Sequence, residues 1–296
     1  MSEFHNIIKE ICEELGIKLT FLSDNWTIVL EKDDQIHYAV GYKFGLNDHA
    51  IGIIIDDKGL FFDLLTYKNI PCIYQKVIFS DYNRNEILDF FNNNNMEIVV
   101  KGNLGTCGKE VFKVNNEDDL FNTTDELFKS QYSISICPFY HVTNEYRVIL
   151  VNKKTRVVYG KEKAKVIGNG KNTVMELAKE VNAIKIDKDV SLDYIPKLNE
   201  EIPLTFQFNL SQGAKMFMEI DESLKQKLIS IAENVVNTLN IPFASVDIIK
   251  TYDNKLLVME ANSGIMMDSF IEQNLNGYNI AYDIYRDAIK LMFNIK

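Results

Sequence analysis

Long apolar runs, clustered cysteines, clustered histidines and a surplus of positive charge are all missing from this 296-residue chain. The longest apolar stretches, such as residues 50–55, are far too short to span a bilayer. Residues 1–10 are polar and charged instead of a basic segment leading into an apolar one, so neither a membrane span nor a secretory signal is expected. Cys12, Cys72, Cys107 and Cys137 are widely spaced, with no CxxC pair. That pattern suggests neither a zinc site nor a disulfide framework, and it points to a reducing, cytoplasmic location. The four histidines are equally scattered, so neither a histidine metal cage nor a Ser-His-Asp arrangement stands out. Lys and Arg number 32 against 42 Asp and Glu, a net charge of −10, whereas nucleic acid as the main ligand needs a basic surface.

What is present is a globular composition, 46% hydrophobic and 25% charged, in a length that suits two or three lobes. Helical spacing runs over 3–15, with Ile7, Ile8, Ile11, Cys12 and Leu15 on one stripe. Strand-like stretches follow at 18–22, 26–31 and 37–44, the last two separated by the turn Asp33-Asp34. A helix is expected over 60–67, ending before Pro71, and a polar loop at 92–95 leads into a strand at 97–100. Strand-rich sequence covers 99–114 and 133–159. Helices are expected at 173–181, after the turn Gly168-Asn169-Gly170, and at 222–239, where Asp221 is the N-cap. Two strands (244–249 and 256–261) and a helix near 282–292 close the chain. Helices and strands mix without strict alternation and no internal repeat is visible, so the expected class is α+β in several lobes.

Two segments carry chemistry. If 244–249 and 256–261 form a hairpin about a two-residue turn at Asp253-Asn254, Asp247 falls opposite Glu260, and Asn262 shares their face. Directly opposed carboxylates repel, and a divalent cation reverses that sign; the oxygen-only donors suit Mg²⁺. A solvated face carrying an accidental pair of acids is the plainer alternative. The second segment, residues 99–111, is a strand, a glycine-rich turn with Gly102, Gly105 and Gly108, and a second strand, with Lys101 at its mouth. Such a turn can close backbone N–H groups around phosphate oxygens. It is not a Walker A loop, because Glu110 replaces the Ser/Thr and no helix follows. A plain glycine-rich hairpin remains the alternative, with Cys107 as either a reactive thiol or a small tolerated side chain.

The order of motifs extends this reading. Asp57-Lys58, Leu64-Leu65 and Asn69-Ile70-Pro71 precede Val100-Lys101 with Gly105 and Gly108; Glu145-Tyr146-Arg147 follows. Then come Val166-Ile167-Gly168-Asn169-Gly170-Lys171 with Glu176-Leu177, Asn209-Leu210-Ser211-Gln212-Gly213, and finally Asp247, Glu260 and Asn262. Over about residues 20–270 this series resembles the ATP-grasp superfamily, most closely the branch holding the ATP-grasp domains of cyanophycin synthetase and bifunctional glutathione synthetase. The resemblance implies an α+β ATP-grasp fold with a short N-terminal lobe (1–57), a lid lobe (58–140) and a C-terminal lobe (141–296), the nucleotide lying between the last two. It also implies an ATP- and Mg²⁺-dependent ligase that joins small-molecule or peptide carboxylate and amine substrates through an acyl phosphate. Two Mg²⁺ ions, with Mn²⁺ as a substitute, would be held by Asp247, Glu260 and Asn262. Lys58, Lys101, Gly105, Gly108, Lys161 and Asn209 would bind ATP, with Lys101 and Arg147 in catalytic roles. Related folds often form homo-oligomers. Against this stand plainer roles: Arg147 paired with Glu145, Asn209 a turn residue, the lysines a solvated face. Residues 135–140 also lack the ribose-binding acid expected from the resemblance. A catalytically silent nucleotide-binding module and a kinase-like member that phosphorylates without ligation stay open, as does a thiol acceptor. Lys161, Lys163, Lys165 and Lys171 could form a basic pocket for an anionic substrate or equally a solvated face.

Overall fold

The computed structural model describes residues 2–105, 108, 110–181 and 185–295. Helix α1 (Glu3–Leu15) follows the expected stripe: Phe4, Ile7, Ile8, Ile11 and Cys12 are buried, and Gly16, in the left-handed conformation, ends the helix. Strands β1 (Lys18–Leu22), β2 (Thr27–Lys32), β3 (Gln35–Val40) and β4 (Lys43–Phe44) form an antiparallel sheet in that order. Ile28, Leu30 and Ala39 join α1 in a core completed by residues from the far end of the chain, among them Phe270, Ile284 and Tyr285.

Helix α2 (His49–Asp56) was not expected from the sequence, because residues 50–55 are apolar almost without interruption and show no stripe. Helix α3 (Lys58–Tyr67) starts two residues before the expected point, since the Asp57 carboxylate caps it by accepting from Leu60 N at 2.9 Å. Gly59 lets that first turn lie against strand β5 (Lys76–Phe79): a Cβ at this position would stand 2.1 Å from Val77 Cγ2.

Helix α4 (Arg84–Asn93), strands β6 (Ile98–Gly102) and β7 (Val111–Val114), helix α5 (Glu117–Leu127) and strand β8 (Ser133–Pro138) complete a second antiparallel sheet, ordered β5-β8-β6-β7. Asn92 and Asn93 close α4 instead of belonging to a loop. Helix α5 was not expected from the sequence, because its first turn is acidic and its apolar content low. Ile98, Val100, Val114, Ile134 and Ile136 form the core under the two helices. Strand alternation therefore turns Val99, Lys101, Ser135 and Cys137 to the opposite face.

The third sheet takes strands β9 (Val142–Val151) and β10 (Lys154–Glu162). A satellite of β11 (Lys165–Ile167), α6 (Val174–Glu180) and β12 (Glu201–Pro203) follows, then β13 (Lys215–Phe217), α7 (Glu222–Thr238), β14 (Phe243–Thr251) and β15 (Leu256–Asn262). Its order is β13-β10-β9-β14-β15. Tyr146, Val148, Leu150, Val246 and Ile248 share a core with Leu228, Ala232 and Val235 of α7. On the other face Ile149, Val151, Tyr159 and Phe243 pack in the first core with α8 (Asp268–Gln273) and α9 (Gly277–Met292). Among the described residues no helix is long and apolar enough to cross a membrane.

Candidate active site

The β14–β15 hairpin pairs Asp247 with Glu260 and Ser245 with Asn262, the expected pairing reached by a different route. Its turn has three residues, 252–254, with Asn254 at φ +61° and Thr251 N donating to Lys255 O at 3.0 Å. Such a turn alone would set Met259 opposite Asp247. A bulge between the Asp247 and Ile248 pairs takes up Met259 and brings Glu260 back to the acid's face. Val258 and Ala261, three residues apart, consequently lie in the same core.

Arg147 on β9 is the other cross-strand neighbour of Asp247, and Lys161 on β10 pairs with Glu145. These four charges form one cluster, in which Glu145, Lys161 and Asp247 are buried and Arg147 is half-buried. Arg147 donates from Nε and Nη2 to the two oxygens of Asp247, at 2.8 and 2.6 Å. Lys161 Nζ donates to Glu145 Oε1 at 2.5 Å and to Asp247 Oδ1 at 3.2 Å. Asp247 is 0% exposed, Lys161 4% and Glu145 7%. The structural partner of Arg147 is thus Asp247, and Glu145 belongs to Lys161, which correlates poorly with a lysine held free for phosphate. Burial alone would push the Asp247 carboxyl up; Arg147 and then Lys161 outweigh it and hold it well below the usual carboxylate range. Glu145 is pushed up to about 7, chiefly by burial and against the pull of Lys161.

Lys58 lies within electrostatic reach of Glu260. Its Nζ donates to the carbonyls of Asn103 (3.1 Å) and Gly105 (2.7 Å), and the charges that act on it most strongly are Glu260 and Lys101. Lys101 is 7% exposed, and among the described residues its side chain has no hydrogen bond or ion pair. Gly108, at φ +62°, is needed as glycine twice over: a Cβ there would stand 2.8 Å from Asn209 Nδ2 and 2.9 Å from Gln207 Oε1. The loop is therefore docked on the segment around Asn209, whose side chain caps a one-turn 3-10 helix (Leu210–Gln212) by accepting from Ser211 N at 3.0 Å. Thr106, Cys107 and Lys109 lie outside the described residues. Lys165 pairs with Glu201 at 2.9 Å, and Lys163 sits over the Phe208 ring, so these two lysines take separate partners.

Among the described residues no group of three or more His, Cys, Asp or Glu is placed to hold a metal. Two carboxylates and an amide still make an all-oxygen donor set of the kind Mg²⁺ takes together with water and phosphate. Glu260 and Asn262 fit it directly: Asn262 Nδ2 stands 3.4 Å from Glu260 Oε1, and the Glu260 carboxylate has no other hydrogen bond among the described residues. Asp247 fits only once Arg147 turns away, because both its oxygens are engaged.

Two sheets with a docked glycine loop and an acid–amide face between them can now be set beside known proteins. Along 99% of its length the chain is similar to bifunctional glutathione synthetase from Pasteurella multocida, with TM-score 0.56, 18% identity and 44% of that chain covered. The chain has the ATP-grasp fold. D-alanine–D-alanine ligase from Bacillus anthracis is a second ATP-grasp neighbour, with TM-score 0.55 and 16% identity over 82% of this chain and 70% of the other. In sequence, cyanophycin synthetase from Trichormus variabilis is 27% identical over 135 residues, 38% of this chain. The match spans 15% of that curated relative. No model of a known protein family matches the chain.

Proposed function

We propose that this ATP-grasp chain is an ATP-dependent ligase that joins a small-molecule or peptide carboxylate to an amine through an acyl phosphate. The observation that carries the reading is the pair of half-buried Arg147 and buried Asp247 flanked by Glu260 and Asn262, with Lys58 tied to the glycine loop within electrostatic reach of Glu260. ATP would lie between the lid of residues 58–140 and the C-terminal lobe of 141–296. Lys58 and Lys101 would neutralise its phosphates, and backbone N–H groups around Gly105 and Gly108 would cradle them. A substrate carboxylate oxygen attacks the γ-phosphorus, the bond to ADP breaks, and Arg147 steadies the negative charge on the phosphoryl oxygens. The amine then attacks the acyl carbon, phosphate leaves and the amine gives up a proton. A closed lid keeps water from the intermediate meanwhile. Mg²⁺ or Mn²⁺ held by Glu260 and Asn262, and by Asp247 once Arg147 releases it, would supply charge neutralisation at the β- and γ-phosphates.

The test is release of ADP and phosphate by the purified protein with ATP and Mg²⁺ across pooled amino acids and short peptides, with Glu260→Gln as control. Release that depends on one pool and vanishes in the control supports the ligase, and splitting that pool names the acceptor. A phosphorylated substrate without a new amide supports the kinase-like reading. No nucleotide binding at all refutes the proposal.

A further inference from the structure

Asn103 stands at the foot of the glycine loop and is 2% exposed. A buried carboxamide must place two donors and an acceptor oxygen, and its partners report what it was built to hold. Its Nδ2 donates to Asp57 Oδ2 at 2.7 Å and to Ser133 Oγ at 3.3 Å, and its Oδ1 accepts from Gly59 N at 3.3 Å. Its backbone N–H donates to Ser133 O at 3.2 Å, and its carbonyl accepts from Lys58 N at 3.4 Å and Lys58 Nζ at 3.1 Å. Three consecutive residues, Asp57, Lys58 and Gly59, thus converge on this one side chain and its carbonyl. Gly105, two residues further into the loop, supplies the second carbonyl to Lys58 Nζ. An apolar loop anchor would fill the space but leave Gly59 N and the Asp57 carboxylate unpartnered here, at a desolvation cost.

We propose that Asn103 is a positioning residue that fixes the glycine loop and the Lys58 ammonium relative to each other, so that phosphate-binding groups from two separate elements are aligned before the nucleotide arrives. It deepens the ligase reading, on which only the nucleotide arm of its test depends. The Asn103–Asp57 contact has one donor and one acceptor and can be inverted. Asn103→Asp alone sets two carboxylates against each other. Adding Asp57→Asn lets the new amide donate to residue 103 while its oxygen still caps Leu60 N; Gly59 N keeps its acceptor and the Ser133 hydroxyl can turn to donate.

The measurements are amide hydrogen exchange across residues 102–112, binding of a non-hydrolysable ATP analogue with Mg²⁺ by calorimetry, and thermal unfolding. Asn103→Asp is expected to speed exchange in the loop and weaken the analogue about tenfold, as loss of a supporting partner does at other sites, while the Asp57→Asn/Asn103→Asp double variant restores both. If the single acid variant does not fold, Asn103→Ser takes its place, and return of folding and loop protection in the double variant supports the proposal. Unchanged loop exchange and affinity in Asn103→Asp, or a lowered melting temperature with neither of them altered, overturns it. Should the wild type bind no nucleotide while the exchange pattern appears and is rescued, the loop-positioning claim holds and the ligase reading falls.

Discussion

If Asp247 is a metal ligand as proposed, Arg147 and a divalent ion compete for the same carboxylate, and that competition is measurable without turnover. Asp247 gives both oxygens to Arg147, at 2.8 and 2.6 Å, and one of them also to Lys161. Hydrogen bonds to charged groups contribute about 1.5–3 kcal/mol each, so the guanidinium holds the carboxylate with about 3–6 kcal/mol that an ion must overcome or offset. Arg147→Gln removes the fixed cation and leaves Lys161 in place, so the carboxylate stays partnered and the protein folds. If about a quarter to a half of that hold is felt as competition, Mn²⁺ affinity rises between several-fold and a hundredfold, since 1.4 kcal/mol is about tenfold. The assay is Mn²⁺ titration followed by electron paramagnetic resonance without nucleotide, on wild type, Arg147→Gln and Glu260→Gln. Tighter binding in Arg147→Gln with weaker binding in Glu260→Gln is expected. Equal affinity in Arg147→Gln and wild type would refute the reasoning, leaving Asp247 as an anchor for Arg147 and no metal ligand.

Three further outcomes follow from the geometry. Lys58 is pushed down to about 8 by burial, with Lys101 adding to the effect and Glu260 opposing it. Between about pH 8 and its ordinary value of 10.5 the unfolded chain binds a proton that the folded one does not, so this group adds stability as pH rises through that window. Passing through about pH 8 removes the charge proposed to bind phosphate, so nucleotide affinity should weaken from pH 7 to 9 in wild type and stay level in Lys58→Arg, by calorimetry. Gly59→Ala forces a Cβ to 2.1 Å from Val77 Cγ2 and should cost about 1–3 kcal/mol in denaturant unfolding, with partial relief from an added Val77→Ala. Thr173→Ala breaks the reciprocal capping of α6 by Thr173 and Glu176 and should cost about 1 kcal/mol in the same measurement.

Much of this architecture was readable from the chain because local signals were strong. The stripe of α1, the Asp221 cap of α7 and the strand pair around Asp247 each rest on a few neighbouring residues, and each is found where expected. Helices α2 and α5 were not readable, one too apolar and the other too polar to display a face. The site divides the same way. Asp247, Glu260 and Asn262 sit close in sequence, and the pairing expected from a two-residue turn is present because a three-residue turn and a bulge offset each other. Arg147 is 100 residues from Asp247, and its partner follows only from the β9–β14 register, which no local pattern states. Lys161 shows the cost: read from its motif it looks free for phosphate, yet tertiary pairing places it between two buried acids. Asn103 has a local signal, a polar residue set between Gly102 and Gly105 at the point where the loop has to be tied down.

The extra residue at Met259 has a consequence for how this chain can vary by descent. A strand tolerates length changes only in steps that preserve parity, because one inserted or deleted residue turns every later side chain over. With a three-residue turn, the bulge is what returns Glu260 and Asn262 to the face of Asp247. Straightening the strand would send both away from it, because Asp247 lies four residues before the Thr251–Lys255 closing pair and Glu260 five residues after it, whereas a shorter turn between that pair would leave the ladder unchanged. The bulge, and not the length of the turn, therefore has to be inherited, and a related sequence should keep one extra residue ahead of the glutamate whatever the length of its turn.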